Sequence, residues 1–211
     1  MYYENELLDL VDDEDNIIGT ISREEIYRKR IQNYRVVNAF LENTNGDLFI
    51  LRRSNQKHPF PLGLDMSVGG HVKSGETYDE ALKRELSEEL NIDLNTVTYE
   101  VIGYLSPFKD SVSSFMKIYK IRSNHSPNFN TQEFSEGFWC SPSTLLKRIS
   151  EGEYAKGDLS ILVERFFKIT RQSIRVKVTD RCSWNCWFCH NEGSGARNTE
   201  LIGDIYWDKE F

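Results

Sequence analysis

The acidic side chains that could do chemistry lie close together between residues 69 and 92. Glu88 and Glu89 follow Glu85 by three and four positions, so a helix would place all three on one patch of its surface. Carboxylates this close repel one another unless a cation sits among them. Hard divalent ions such as Mg²⁺ favour carboxylate oxygens and usually also hold substrate phosphates. The pattern indicates a metal site for phosphate chemistry, although an isolated acidic cluster is more often a solvated helix face.

A glycine loop and one amphipathic helix must position these carboxylates. Thr77 is placed to cap the helix, and Glu80, three residues later, completes a capping box. Asn91 follows the last turn and can take the left-handed conformation that ends many helices. Apolar residues recur at helical spacing and predict the buried stripe, which consists of Tyr78, Ala81, Leu82, Leu86 and Leu90.

The whole stretch resembles the box of the Nudix family. Gly70 is followed after five residues by Glu76, and after seven more by Arg84-Glu85-Leu86-x-Glu88-Glu89-Leu90-x-Ile92. The family has a glycine where this chain has Asn91, and asparagine tolerates the same backbone shape.

The resemblance implies a diphosphate-processing enzyme. The cation, Mg²⁺ or Mn²⁺, would be held by Glu85, Glu88, Glu89 and the carbonyl of Gly70. The resemblance also implies that Glu76 pairs with Arg84, which braces the loop against the helix.

The remaining elements fit an α/β fold. Apolar alternation and turn residues predict strands at about 6–11, 17–21, 35–42, 48–51, 97–105, 113–121 and 136–140. Helices are predicted after Ser22, Thr77, Ser141 and Asp158. Asn45-Gly46 predicts a hairpin, and the acidic turn at 12–16 is predicted to be solvated. This order fits a mixed sheet between helices, the α/β/α sandwich that the Nudix resemblance implies over residues 6–171.

Residues outside the box are candidates for substrate contact. Arg52 and Arg53 end a strand, and arginine forks match phosphate oxygens, although an exposed strand end is an equal reading. His71 is a candidate phosphate contact or a satisfied loop histidine. Glu133 and Glu136 lie where related enzymes sometimes place a general base.

Ser67 to Val72 resembles the branch that contains type I isopentenyl-diphosphate isomerases. Those enzymes carry a cysteine where this chain has Gly69, and they draw metal-binding histidines from upstream, whereas this chain has none before His58. The resemblance therefore favours Mg²⁺-dependent hydrolysis of a nucleoside-diphosphate-linked or other diphosphate compound. Isomerase activity is disfavoured, and a non-catalytic nucleotide sensor is the other alternative.

The composition narrows the class of protein further. The 211 residues carry a formal net charge of −7, which disfavours broad nucleic-acid binding because that needs a basic face. No apolar run approaches a membrane span, and the start does not resemble a secretion signal. We expect a cytoplasmic enzyme with a small-molecule substrate and no nucleic-acid or membrane partner. A homodimer is a further expectation.

Three cysteines near the end form a second motif. Cys182, Cys186 and Cys189 follow an alternating strand at about 171–179 and resemble the start of a radical SAM enzyme. That resemblance implies a [4Fe-4S] cluster and S-adenosylmethionine, although a zinc site that includes His190 is an alternative. Too few residues follow the cysteines to form the barrel of a radical SAM enzyme. We therefore expect a Nudix domain at 1–171 joined to a truncated radical SAM-like segment at 172–211, an incomplete strand and Cys-rich loop whose remainder is missing.

Overall fold

The computed structural model describes residues 6–167 and the backbone of two short strands, 174–177 and 202–205. The chain divides into two compact units, Met1–Lys168 and Ile169–Phe211. In the second unit the two strands pair antiparallel. The strand predicted at about 171–179 is confirmed at Ile174–Lys177. The identity of the second unit as a radical SAM segment, and the domain division after residue 171, stay predictions.

The first unit alternates strands and helices. Its strands are β1 (Leu7–Val11), β2 (Ile17–Ser22), β3 (Arg35–Glu42), β4 (Leu48–Arg53), β5 (Leu64–Asp65), β6 (Val68–His71), β7 (Thr98–Leu105), β8 (Phe115–Arg122) and β9 (Phe134–Cys140). Its helices are α1 (Arg23–Lys29), α2 (Tyr78–Leu90), α3 (Pro107–Asp110), α4 (Pro142–Ser150) and α5 (Leu159–Phe166), with a 3₁₀ turn at Leu94–Thr96. Each strand and helix predicted in this unit is present, with ends that differ by a few residues.

The sheet that carries the site is mixed, as predicted. Its strand order is β5-β4-β3-β8-β7, while β6 pairs with β3 and β9 pairs with β4. β3 and β8 run parallel from Arg35 opposite Phe115 to Glu42 opposite Arg122. The other pairings are antiparallel. The predicted α/β fold with a mixed sheet is therefore confirmed.

The hairpin predicted around Asn45-Gly46 is only partly formed. The turn is present, with Gly46 at φ +82, but β3 and β4 pair at a single position, Glu42 opposite Leu48. Beyond that point β3 pairs with β6, while β4 pairs with β5 and β9. The two strands diverge because other strands satisfy their backbone groups.

Alternate residues of β3 point into two hydrophobic clusters. Val37, Ala39 and Leu41 pack with the apolar stripe of α2. Phe40 packs in the other cluster, which contains Leu162 of α5. Since successive strand residues point to opposite faces of a sheet, α2 covers one face and α5 the other. The layers of the predicted sandwich follow from this alternation.

The hairpin of β1 and β2 forms a third cluster with α1, centred on the fully buried Leu8. The turn of this hairpin was predicted to be solvated, but Asp15 within it is not. Asp15, at φ 66, accepts hydrogen bonds from Arg35 Nε at 2.6 Å and from Tyr78 Oη at 3.1 Å, and also from Tyr104 Oη. The prediction is wrong for Asp15 because residues distant in sequence, which a turn pattern does not reveal, supply these partners.

Candidate active site

Helix α2 begins and ends where the sequence predicts. The Thr77 side chain accepts from the Glu80 N–H at 3.3 Å, and the Glu80 carboxylate accepts from the Thr77 N–H at 2.8 Å. Asn91 ends the helix at φ 53 and ψ 36, and its N–H is bonded to the carbonyls of Leu86 and Ser87. The capping box and the left-handed end are confirmed, and they fix the register of the three glutamates along the helix.

Helix α2 and β6 meet closely at Gly70. A Cβ atom built on Gly70 would lie 1.9 Å from Oε1 and 2.0 Å from Cδ of Glu85. Because atoms cannot come this close, a side chain at residue 70 would displace the Glu85 carboxylate or the strand. The absence of a side chain allows the Glu85 carboxylate to lie against the backbone of the strand.

Glu89 is the most deeply placed of the three glutamates, with 2% of its surface exposed. Its carboxylate accepts from the Gly69 N–H at 3.0 Å and from Lys57 Nζ at 2.6 Å. Burial raises the pKa of Glu89, which Lys57 opposes. Burial, followed by the nearby charge of Glu89, raises the pKa of Glu85 to about 8. Two buried carboxylates thus lie close enough to repel each other.

Arg84 braces the loop against the helix. Its Nε donates to Glu76 Oε1 at 2.7 Å, and its Nη2 donates to Glu76 Oε2 at 2.9 Å and to the carbonyl of His71 at 2.9 Å. Its Nη1 donates to Glu85 Oε1 at 2.6 Å and lies 3.4 Å from Glu88 Oε2. One guanidinium therefore ties β6, the glycine loop and two of the glutamates together.

The donor set suits a hard divalent cation in its chemistry, because it offers carboxylates and a backbone carbonyl. The side chain of Glu88 is 52% exposed, whereas Glu85 and Glu89 face β6. Between residues 6 and 167, no three His, Cys, Asp or Glu side chains are spaced to hold a metal ion. The positive charges of Arg84 and Lys57 occupy the neighbourhood of these carboxylates instead. A cation would offset the burial and the repulsion from Glu89 that together raise the pKa of Glu85.

The arginines predicted to bind phosphate contact carboxylates of the protein. Arg53 is 5% exposed, and its Nη1 donates to the buried Asp65 at 2.7 Å. Arg52 contacts Glu136 at 2.9 Å and Glu153 at 2.8 Å. These contacts give no support to a phosphate-binding role for either arginine, since their charges are neutralised inside the protein.

His71 lies on the opposite side of β6 from Glu85. Its Nε2 is 3.1 Å from the hydroxyl of Tyr27, and its ring stacks on Tyr34 with centroids 5.6 Å apart. Burial, together with the charge of Arg23, lowers the pKa of His71 well below 6.5. The ring is therefore neutral at pH 7 and is held by aromatic neighbours.

Lys57 lies at the site but was not predicted from the sequence. It comes from the polar loop at 55–63, in which no periodicity singles out any residue. Its Nζ contacts both Glu89 and Glu133, so Glu133 is linked to the α2 carboxylates through one ammonium. Glu136 lies apart from them, with Arg52. The sequence indicated only weakly that Asp65 is buried, through its position between two apolar residues, Leu64 and Met66.

Comparison with known proteins agrees with this geometry. The model of the NUDIX domain matches residues 32–158, which is more than half of the chain. This chain therefore belongs to the Nudix hydrolase family and is a diphosphate hydrolase. An uncharacterised Nudix hydrolase of Nostoc sp. is 52% identical over 167 residues, which cover 79% of this chain and 99% of that protein. The crystal structure of DR0079 from Deinococcus radiodurans is 48% identical, covers 77% of this chain and 100% of that chain, and has a TM-score of 0.75.

The resemblance to the isomerase branch is only distant. An isopentenyl-diphosphate isomerase of Brevibacterium linens is 24% identical over 168 residues, which cover 78% of this chain and 91% of that protein. These relatives are Nudix hydrolases and an isomerase, so they give no support to a radical SAM segment, an iron–sulfur cluster or S-adenosylmethionine. Cys182, Cys186 and Cys189 lie outside the described residues.

None of the described helices is long and apolar enough to cross a membrane. The cytoplasmic location and the homodimer stay predictions.

Proposed function

We propose that this protein hydrolyses a nucleoside-diphosphate-linked compound, or another diphosphate, in the presence of Mg²⁺ or Mn²⁺. The observation that carries the proposal is the contact between β6 and α2. Gly70 has no room for a side chain beside Glu85, and Gly69 donates its N–H to the buried Glu89. Two buried carboxylates beside a glycine-containing strand destabilise the fold, because each buried charge needs a compensating partner. Such an arrangement supports a cation-binding role.

Different residues of the chain have different roles in this reaction. Glu85, Glu88 and Glu89, with the carbonyl of Gly70, would hold the cation. The bound cation would neutralise the diphosphate and lower the pKa of the attacking water. Arg84 keeps Glu85 oriented through its contacts at 2.6 and 2.7 Å with Glu85 and Glu76.

Glu133 is the better candidate for the general base. It shares Lys57 with Glu89, which supports a position near the α2 carboxylates, and 38% of its side chain is exposed to solvent. Glu136 pairs with Arg52 at 2.9 Å, away from the α2 carboxylates. A general base has to be within reach of the attacking water before its pKa matters, and that requirement favours Glu133.

The test is turnover of a panel of nucleoside-diphosphate-linked compounds, with and without Mg²⁺. Glu88→Gln and Glu89→Gln should each lower turnover about a hundredfold or more with the fold intact. Glu164→Gln, on the exposed side of α5, is the matched control and should be unchanged. Full turnover in both box variants would refute the assignment. A parent protein that binds these compounds without hydrolysing them would favour the sensor. Formation of dimethylallyl diphosphate from isopentenyl diphosphate would favour the isomerase.

A separate proposal concerns the cysteines, and their spacing in the sequence is its only support. Cys182, Cys186 and Cys189 are proposed to bind an iron–sulfur cluster, since cysteine is its usual ligand. Anaerobic reconstitution with iron and sulfide, compared between the parent and a triple Cys→Ala variant, tests this. Equal iron and sulfide in the two proteins would count against a specific site, and stoichiometric zinc in the purified protein would favour the alternative with His190.

A further inference from the structure

Most cations beside β6 already have a carboxylate partner. Three of them have a carboxylate oxygen within 2.7 Å, namely Arg53 with Asp65, Lys57 with Glu89 and Arg84 with Glu76. Lys156 differs from these three. Its Nζ is 3.6 Å from Asp65 Oδ1 and 3.5 Å from Met66 Sδ. Within the described residues its ammonium donates no hydrogen bond to an oxygen.

The ammonium of Lys156 lies over Gly69. A Cβ atom built on Gly69 would be 3.2 Å from Lys156 Nζ and 3.1 Å from Asn38 Oδ1. Asn38 pairs with Gly69 across the sheet, is 1% exposed, and its Oδ1 has no hydrogen-bond partner among the described residues. Beside Gly69, the ammonium and the Asn38 oxygen therefore both have hydrogen-bonding capacity that the described residues do not use.

The backbone around Lys156 is fixed to the sheet. The N–H of Leu64 donates to the carbonyl of Tyr154 at 2.9 Å, and the N–H of Lys156 donates to the carbonyl of Leu64 at 2.8 Å. These bonds attach the segment that precedes α5 to β5. These bonds fix where the side chain starts, and 24% of the Lys156 side chain is exposed to solvent.

Gly69 also connects this ammonium to the candidate metal site. Its N–H donates to Glu89 at 3.0 Å, and the next residue, Gly70, meets Glu85. Strand β6 thus has the carboxylates on its α2 side and Lys156 on its other side. The chain has a formal net charge of −7, so an anionic substrate has to be attracted by local cations rather than by the overall field.

We propose that Lys156 binds a phosphate oxygen of the substrate on the side of β6 opposite Glu85 and Glu89. A lysine ammonium is a compact point charge with three donors, which suits phosphate. The ammonium contacts Asp65 at 3.6 Å and Met66 at 3.5 Å, and neither contact is a close ion pair. The inference rests on the proposed function, because that function supplies the diphosphate.

Binding of inorganic pyrophosphate to the 211-residue protein in EDTA, measured by calorimetry, tests the site without turnover. Lys156→Met and Lys156→Gln should weaken binding about tenfold or more, and Lys156→Arg should retain most of it. Lys147→Met removes a lysine whose side chain is 73% exposed and should bind like the parent. Both neutral variants should fold, because Asp65 keeps Arg53 at 2.7 Å. Thermal melting checks this.

The inference is overturned if pyrophosphate binds the neutral variants as tightly as the parent, or does not bind the parent. Turnover separates this result from the proposed function. If the parent hydrolyses no diphosphate while pyrophosphate binding depends on Lys156, the anion site stands and the hydrolase proposal fails. If the parent is active and Lys156→Met leaves KM and pyrophosphate affinity unchanged, the hydrolase proposal stands and the Lys156 inference fails.

Discussion

Replacing Gly70 by alanine should disable the site through a steric conflict. The new Cβ would lie 1.9 Å from Glu85 Oε1, so the carboxylate or the strand has to move about 1.5 Å to reach the 3.4 Å of ordinary contact. A displacement of about 1 Å at a catalytic group can lower a rate about a hundredfold. We therefore expect Gly70→Ala to lower turnover at least a hundredfold. Overpacking costs about 1–3 kcal/mol, so the free energy of unfolding should fall by a similar amount.

Gly19→Ala is a matched control, because Gly19 also lies in a strand and its Cβ would meet nothing within 4 Å. Its turnover and stability should stay close to those of the parent. The measurements are Mg²⁺-dependent turnover of the best compound in the panel, Mn²⁺ binding by paramagnetic resonance, and urea unfolding. If Gly70→Ala retained turnover within about threefold of the parent and bound Mn²⁺ equally well, the contact with Glu85 would have no functional importance.

Three further predictions concern the charged residues around β6. Arg53→Met removes the closest ion-pair partner of the buried Asp65, leaving Lys156 at 3.6 Å, and should lower the free energy of unfolding by about 3 kcal/mol in urea. If turnover per folded molecule of this variant also fell far below that of the parent, Arg53 would have to contact substrate. Although burial raises the pKa of Asp65, Lys156 and Arg53 hold it below 3.8. The stabilisation from this carboxylate should therefore be complete above about pH 3.8 and be lost as the pH falls through the lower folded pKa. Urea unfolding of the parent and of Asp65→Asn between about pH 2.5 and 6 checks this, and a difference that widened on acidification would contradict it. Arg84→Lys loses the bidentate contact with Glu76 and should lower the free energy of unfolding by about 1–2 kcal/mol. An unchanged melting temperature would show that the brace adds little.

The helix that carries the glutamates could be predicted in detail because its signals are local. Thr77, Glu80 and Asn91 act within one turn of the backbone they cap, and the apolar stripe repeats along the same helix. The strand at 35–42, followed by the Asn45-Gly46 turn, was likewise predicted from local sequence, and β3 is buried on both faces. Such features depend on neighbours a few residues away, so the sequence is enough to identify them.

The partners of the charged groups could not be predicted in the same way. Lys57 contacts Glu89 from 32 positions away, and Arg53 contacts Asp65 from 12 positions away. A strand pattern shows which face a side chain occupies but not which charge lies opposite. Arg53 resembled an exposed strand end for this reason, although it lies in a buried ion pair.

The contacts of Asp15 affect how this protein can be shortened. The matched domain begins at residue 32, yet Asp15 binds Arg35 and Tyr78 inside that domain. A shortened version that begins at residue 32 would lose these bonds. It would also lose Tyr27 beside His71, and the apolar surface that Leu8 and Ile26 cover would be exposed to solvent. Expression for crystallography or assay should therefore retain the hairpin from residue 6 onward, because family boundaries alone would give a protein prone to aggregation.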